Sequence, residues 1–130
     1  MKKTIILTLF LLLSGCATVK GWVPSFWDDN QSRAIIDVRQ QVEQLDCKAN
    51  NRLEQVLSIH NQLRWFELYS ESKGWQQADV LRLTAPMRQS VSDFVKRSQE
   101  GQGTVTYCEI KRGLLAKQAE TAAKAVLGRF

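Results

Sequence analysis

Histidine occurs once in these 130 residues, proline twice, cysteine three times and glycine seven times. Each shortage removes a class of chemistry. A single histidine, His60, cannot supply the ligand clusters of a zinc centre. As a base it would need an oriented nucleophile and a third group to hold it, and no Gly-x-Ser-x-Gly elbow or comparable serine context accompanies it. Gly101 and Gly103 lack the further glycine, the lysine and the strand context of a phosphate loop. Glu67 and Glu71 stand one helical turn apart, a spacing common on any solvated helix, and a glycosidase pair would need a cleft as well. The formal charge of +5 is too small and too scattered for a nucleic-acid footprint. The apolar stretch from Ile5 to Leu13 is about half the roughly 20 residues of a membrane span. The sequence therefore offers no catalytic set, no metal site, no cofactor and no identifiable small-molecule substrate. It contains neither an internal repeat nor a low-complexity segment.

What the chain has instead is helix-forming residues throughout and one processing signal. Lys2 and Lys3 precede the apolar stretch, which ends at Leu13-Ser14-Gly15-Cys16. A charged n-region, a short h-region and a small-residue site make up an export leader. The four residues ending on cysteine resemble the lipobox of bacterial lipoproteins. That resemblance implies removal of residues 1–15 and acylation of Cys16 by diacylglycerol and palmitate. It implies a protein held on the cell outer membrane, facing the periplasm, because Ala17 rather than an acidic residue follows the cysteine. Several acyl chains anchor firmly, at about 0.8 kcal/mol per buried methylene. Loss of Lys2 and Lys3 with the leader lowers the formal charge from +5 to +3.

With Cys16 assigned to lipid, Cys47 and Cys108 remain. Two cysteines in an exported domain most simply pair with each other. The alternatives are two buried thiols or a metal site, for which two cysteines without histidines are a poor set.

The remaining residues suffice for one domain. The boundaries read as a leader at 1–15, a lipidated cysteine and linker at 16–28, and a helical domain at 29–130. The linker is aromatic, with Trp22, Phe26 and Trp27. These rings suit either a second contact with the bilayer interface or packing against the base of the domain. Lys124 and Arg129, at the same end of the domain, are further candidates for contact with lipid headgroups.

Apolar spacings predict four helices. The first begins near Asp28, Asp29 or Asn30 and carries Ile35, Val38, Val42 and Leu45 at spacings of 3, 4 and 3, widened by Ile36. The second runs from about Asn51 to Ser72, with Leu53, Val56, Leu57, Ile59, His60, Leu63, Phe66 and Tyr69 on a broad face. The third covers about Gln77 to Gln99, with Val80, Leu83, Met87, Val91 and Phe94. Within it, Pro86 marks either a kink or a fresh start capped by Thr84. The fourth starts near Thr104 or Thr106 and places Tyr107, Ile110, Leu114, Leu115, Ala119, Ala122, Ala125 and Val126 inward. Short connections give an all-α, up-down-up-down four-helix bundle about 30 Å long. In that topology Cys47 and Cys108 meet at the end remote from the tether.

The function these features imply is a non-enzymatic lipoprotein that offers its bundle to a periplasmic or outer-membrane protein partner. Trp65, Phe66, Tyr69 and Trp75 form the candidate partner surface if exposed, and core if buried. In outline the chain is similar to two lipoprotein classes: pilotins, which receive a segment of an outer-membrane channel, and phage outer-membrane spanins or other lysis and exclusion lipoproteins. Its scarcity of proline departs from the spanin pattern.

Overall fold

The computed structural model describes residues 28–128. They form four helices, α1 (Asp29–Gln44), α2 (Arg52–Ser72), α3 (Ala78–Gln99) and α4 (Val105–Leu127), with a 3-10 turn at Trp75–Gln77 leading into α3. Two helix starts follow directly from the sequence. The Asp28 carboxylate accepts from the backbone N–H groups of Asn30 and Gln31 at 3.0 and 3.1 Å. Thr104 Oγ1 accepts from Tyr107 N at 3.1 Å. Both satisfy donors that the first helical turn leaves without partners. Gly74 and Gly101 break the chain after α2 and α3 with φ of +87° and +76°, where a side chain would be strained.

Each helix packs on its sequence neighbours and α4 packs back on α1, while the diagonal pairs α1–α3 and α2–α4 make no close approach. Short connections and closed neighbour packing define the up-down-up-down bundle. Its two ends differ in chemistry. At the entry pole the start of α1 meets the end of α2 and the start of α3. At the distal pole the end of α1 meets the starts of α2 and α4.

Ile35, Val38, Val42 and Leu45 are all buried, as their spacing predicts, and they face Val56, Ile59, Leu63, Phe66, Met87, Val91, Phe94 and Leu115 in one core. Some of the predicted inward positions turn outward. Ile110 is 67% exposed and Leu114 is 43% exposed. The register of α4 is set by Cys108, which must point inward to reach Cys47. At about 100° per residue, Ile110 then lies some 200° away from the core. Cys108, Leu115, Ala119, Ala122, Ala123 and Val126 form the inner face instead. In α3, Leu83 is exposed and Thr84 takes the inner slot. Thr84 is admitted because its hydroxyl donates to Val80 O at 3.0 Å, so no polar atom is buried unpaired. Thr84 therefore does not cap a new helix: α3 runs through Pro86 as one element. Ile36, expected to widen the α1 stripe, is 40% exposed.

The distal pole is locked covalently. Cys47 and Cys108 are joined, with Sγ–Sγ 1.98 Å and Cα–Cα 5.6 Å. Arg52 reinforces the same place. Its guanidinium donates to Cys47 O at 2.7 Å and to Gly103 O, tying the α1–α2 connection to the α3–α4 connection. Arg112 donates to Leu45 O at 3.0 Å. The connections leave carbonyls without intrahelical partners, and the two arginines supply donors to them. Gly103 suits the close approach there, since a Cβ would lie 2.9 Å from Ser98 Oγ and 3.1 Å from Ser98 Cα and Ser98 would have to give way.

Candidate functional site

The entry pole gathers polar side chains that the sequence alone does not join. Gln31, Ser70 and Gln77 are buried together. Gln31 Nε2 donates to Ser70 Oγ at 2.8 Å and to Gln77 Oε1 at 3.2 Å, linking α1, α2 and the turn before α3. Just outside, Asp28 serves as more than a cap. Lys73 Nζ lies 2.8 Å from its carboxylate, and the Tyr69 hydroxyl donates to both carboxylate oxygens at 3.2 and 3.1 Å. Asn30 Nδ2 donates to the same hydroxyl at 3.1 Å. Lys73 also sits 5.4 Å above the Tyr69 ring.

Burial raises the Asp28 carboxyl pKa, but hydrogen bonds from Lys73, the Gln31 backbone and Tyr69 outweigh it and hold the group below its ordinary value. The hydrogen bond to Asp28 raises Lys73, against a smaller opposing effect of burial. Asp28 is depressed in the fold, so its contribution is present above the unfolded value near pH 3.9 and is lost as pH falls through the folded value. Lys73 is raised, so its contribution is present below about pH 10.4 and is lost as pH rises through the folded value. Asp28→Asn keeps a good cap residue and removes the charge together with the second acceptor oxygen, which faces Lys73. Near neutral pH it should cost about 0.5–1 kcal/mol, since Lys73 is partly solvated. In urea titrations from pH 6 to pH 2.5, wild type and variant should converge as the acid limb is crossed. A gap that stays constant across that range would exclude the charge pair as its source.

The tyrosine held by Asp28 supports a tryptophan. Trp65 and Tyr69 stack with centroids 5.0 Å apart and planes 8° apart. Trp65 is nevertheless 46% exposed. It stands at the junction of two hollows on the α1–α2 face. One, of about 550 Å³, is lined by Glu54, Leu57, Ser58, Asn61, Gln62 and Trp65. The other, of about 260 Å³, includes Arg33, Asp37, Gln62 and Trp65.

The four aromatic residues of the candidate partner surface therefore do not form one cluster. Trp65 and Tyr69 pair on the α1 side of α2. Phe66 is fully buried and belongs to the core, so it is corrected from the surface set. Trp75 is 73% exposed on the connection at the entry pole and makes no ring contact with the other three. The helical period explains this: 65 and 69 share a face, whereas 66 is turned about 100° from 65. Lys124 is exposed in the last turn of α4 and bonds Glu120 at 2.7 Å, an i to i+4 pair. Cys16, Trp22, Phe26, Trp27 and Arg129 lie outside the described residues.

The other chemistry-bearing residues do not converge. His60 is half-buried on α2. Glu67 is engaged by Arg64 and by Arg88, bridging α2 to α3, while Glu71 is exposed. Among the described residues no group of histidine, cysteine and acidic side chains could hold a metal ion. A groove of about 480 Å³ between α3 and α4 contains Lys96, Arg97 and Lys111 with Tyr107, but Asp93 and Glu100 share it and balance most of its charge. No described helix is long and apolar enough to cross a membrane. The sequence signal for the entry-pole network is faint: Asp28 is one of several residues suited to start a helix, Lys73-Gly74 suits the end of one, and nothing in the spacing links them. No protein-family model, curated protein or solved structure matches the chain.

Proposed function

We propose that the chain is an outer-membrane lipoprotein, held by acylated Cys16, whose four-helix bundle is a non-enzymatic binding module in the periplasm. The observation that carries this reading is the Cys47–Cys108 bond. Structural disulfides belong to oxidising compartments, and export is what the lipobox-like Leu13-Ser14-Gly15-Cys16 implies. The bundle's polarity agrees with it. The chain enters at Asp28, at one pole, and the bridge closes the other. A tether of about a dozen residues from Cys16 reaches at most ~40 Å, so the α1–α2 face would stay close to the bilayer.

The decisive experiment is the fate of the sixteenth residue. In envelope fractions of a bacterial producer, the wild-type chain should sediment with outer membrane. The peptide beginning at Cys16 should carry the added mass of acyl chains. Cys16→Ser should abolish that mass and release the protein from the outer-membrane fraction. An unmodified Cys16, with the leader intact, would overturn the reading. The partner's class is a separate matter, decided by the surface of α1 and α2.

A further inference from the structure

We propose that the Trp65 hollow on the α1–α2 face binds a neutral oligosaccharide bearing N-acetyl groups, the aminosugar strand of the cell wall being its source in the envelope. The source rests on the periplasmic reading above; the chemistry of the hollow does not.

An indole exposed to water normally keeps its rotamer freedom. Trp65 is restrained by a chain of contacts running back to the first residue of the bundle. Tyr69 stacks on it, and the Tyr69 hydroxyl is fixed between Asp28 and Asn30. Fixing a contact group in advance lowers the entropy lost on binding. Tyr69 backs the ring from the C-terminal side. The other residues of the larger hollow all precede Trp65 along α2, whereas Tyr69 follows it. A flat aromatic face with polar groups at its margin suits a ligand with one apolar face and hydrogen-bonding edges, which describes a pyranose ring.

The margin is made of amides. Asn61 and Gln62 border the hollow, and neither side chain has a partner among the described residues. A third hollow, of about 270 Å³, continues the line through Gln41, Gln44 and Gln55 and shares Ser58 with the first. Linked hollows along a helix pair fit a linear chain rather than a compact ligand. Side-chain amides complement acetamido groups, each supplying a donor and an acceptor; Asn61 and Gln62 are placed to do so, whereas Gln41 already accepts from Ser58 Oγ and Gln55 is bonded to Asp46 N and Asn51 Oδ1. Glu54 and Asp37 against Arg33 give the face no positive excess, which disfavours nucleic acid and anionic lipid.

The test uses full-length protein in detergent, titrated calorimetrically with the β-1,4-linked tetramer of N-acetylglucosamine and with the glucose tetramer that lacks acetamido groups. Saturable binding of the first, at least tenfold weaker for the second, is expected. Trp65→Ala should weaken binding at least tenfold, Trp65→Phe less, and Asn61→Ala with Gln62→Ala severalfold. Far-UV circular dichroism should show each variant folded. Absence of saturable binding to the aminosugar tetramer, or binding unchanged in Trp65→Ala, overturns the proposal. So does capture of isolated wall stem peptides in place of peptide-free glycan strands. Acylation at Cys16 is read separately by mass. Glycan binding by an unlipidated chain would sink the localisation and leave the site. A lipidated chain indifferent to glycan would do the reverse.

Discussion

Replacing Cys47 and Cys108 together by alanine should lower the stability of the bundle by about 4 kcal/mol and its melting midpoint by about 15–25 °C. The bridge spans a sequence separation of 61 residues, and cross-linking distant residues restricts the unfolded chain most. It joins α1 to α4, the two helices that are farthest apart in sequence yet packed together. A domain of this size has about 5–15 kcal/mol in total, so the loss is a large share. The variant should still be helical at room temperature. Arg52 continues to tie both distal connections together through Cys47 O and Gly103 O, and Arg112 still holds Leu45 O; these bonds use backbone oxygens that the substitution leaves in place. Thermal melts of wild type, wild type with reductant, and the double variant are the measurement. The last two should coincide. A midpoint within about 5 °C of the oxidised protein would mean that the arginines and the core fix the distal pole unaided. The same experiment bears on compartment, because a bundle this dependent on its bridge would be poorly stable where thiols are kept reduced.

The sequence disclosed the helices and their order because both rest on local signals. Asp28 and Thr104 can cap, Gly74 and Gly101 can break, and the run Ile35, Val38, Val42, Leu45 has a single helical face. Its failures all concern rotation. Ile110 and Leu114 are as hydrophobic as any core residue, and no local rule tells which of the apolar residues of α4 face inward. The bond from Cys108 to Cys47 decides that, and it is a tertiary fact. Leu83 and Thr84 exchange roles for a related reason: the third helix can bury a threonine whose hydroxyl bonds its own backbone. The entry-pole network was hidden more deeply. Gln31, Ser70 and Gln77 are polar and read as surface, and they find one another across 39 and 46 residues of sequence. Trp65 and Tyr69 stand four residues apart, about one helical turn, but nothing local ties Tyr69 to Asp28, because those partners come from opposite ends of the first helical hairpin.

Two adjacent substitutions should separate the core of α2 from its functional face. Phe66→Ala should cost about 3–5 kcal/mol, whereas Trp65→Ala should cost about 1 kcal/mol or less. The residues are neighbours in sequence, both large and aromatic, and propensity alone would rank them alike. Their surroundings differ. Phe66 is fully enclosed, alongside Phe94 among the largest buried side chains. Removing its ring leaves a cavity that the close-packed core fills only in part. Trp65 keeps 46% of its surface in water, and its loss removes one stacking contact while Tyr69 stays fixed by Asp28 and Asn30. Urea titrations of the two variants should give midpoints several-fold farther from wild type for Phe66→Ala than for Trp65→Ala, with unchanged slopes if both remain two-state. The comparison matters for interpretation of any binding experiment. If Trp65→Ala proved as destabilising as Phe66→Ala, loss of binding in that variant would report unfolding, and the α1–α2 face would have to be probed through Asn61 and Gln62 alone. With the predicted asymmetry, a stable Trp65→Ala protein that no longer binds places recognition on the exposed ring, one helical position away from a residue whose whole role is to fill space.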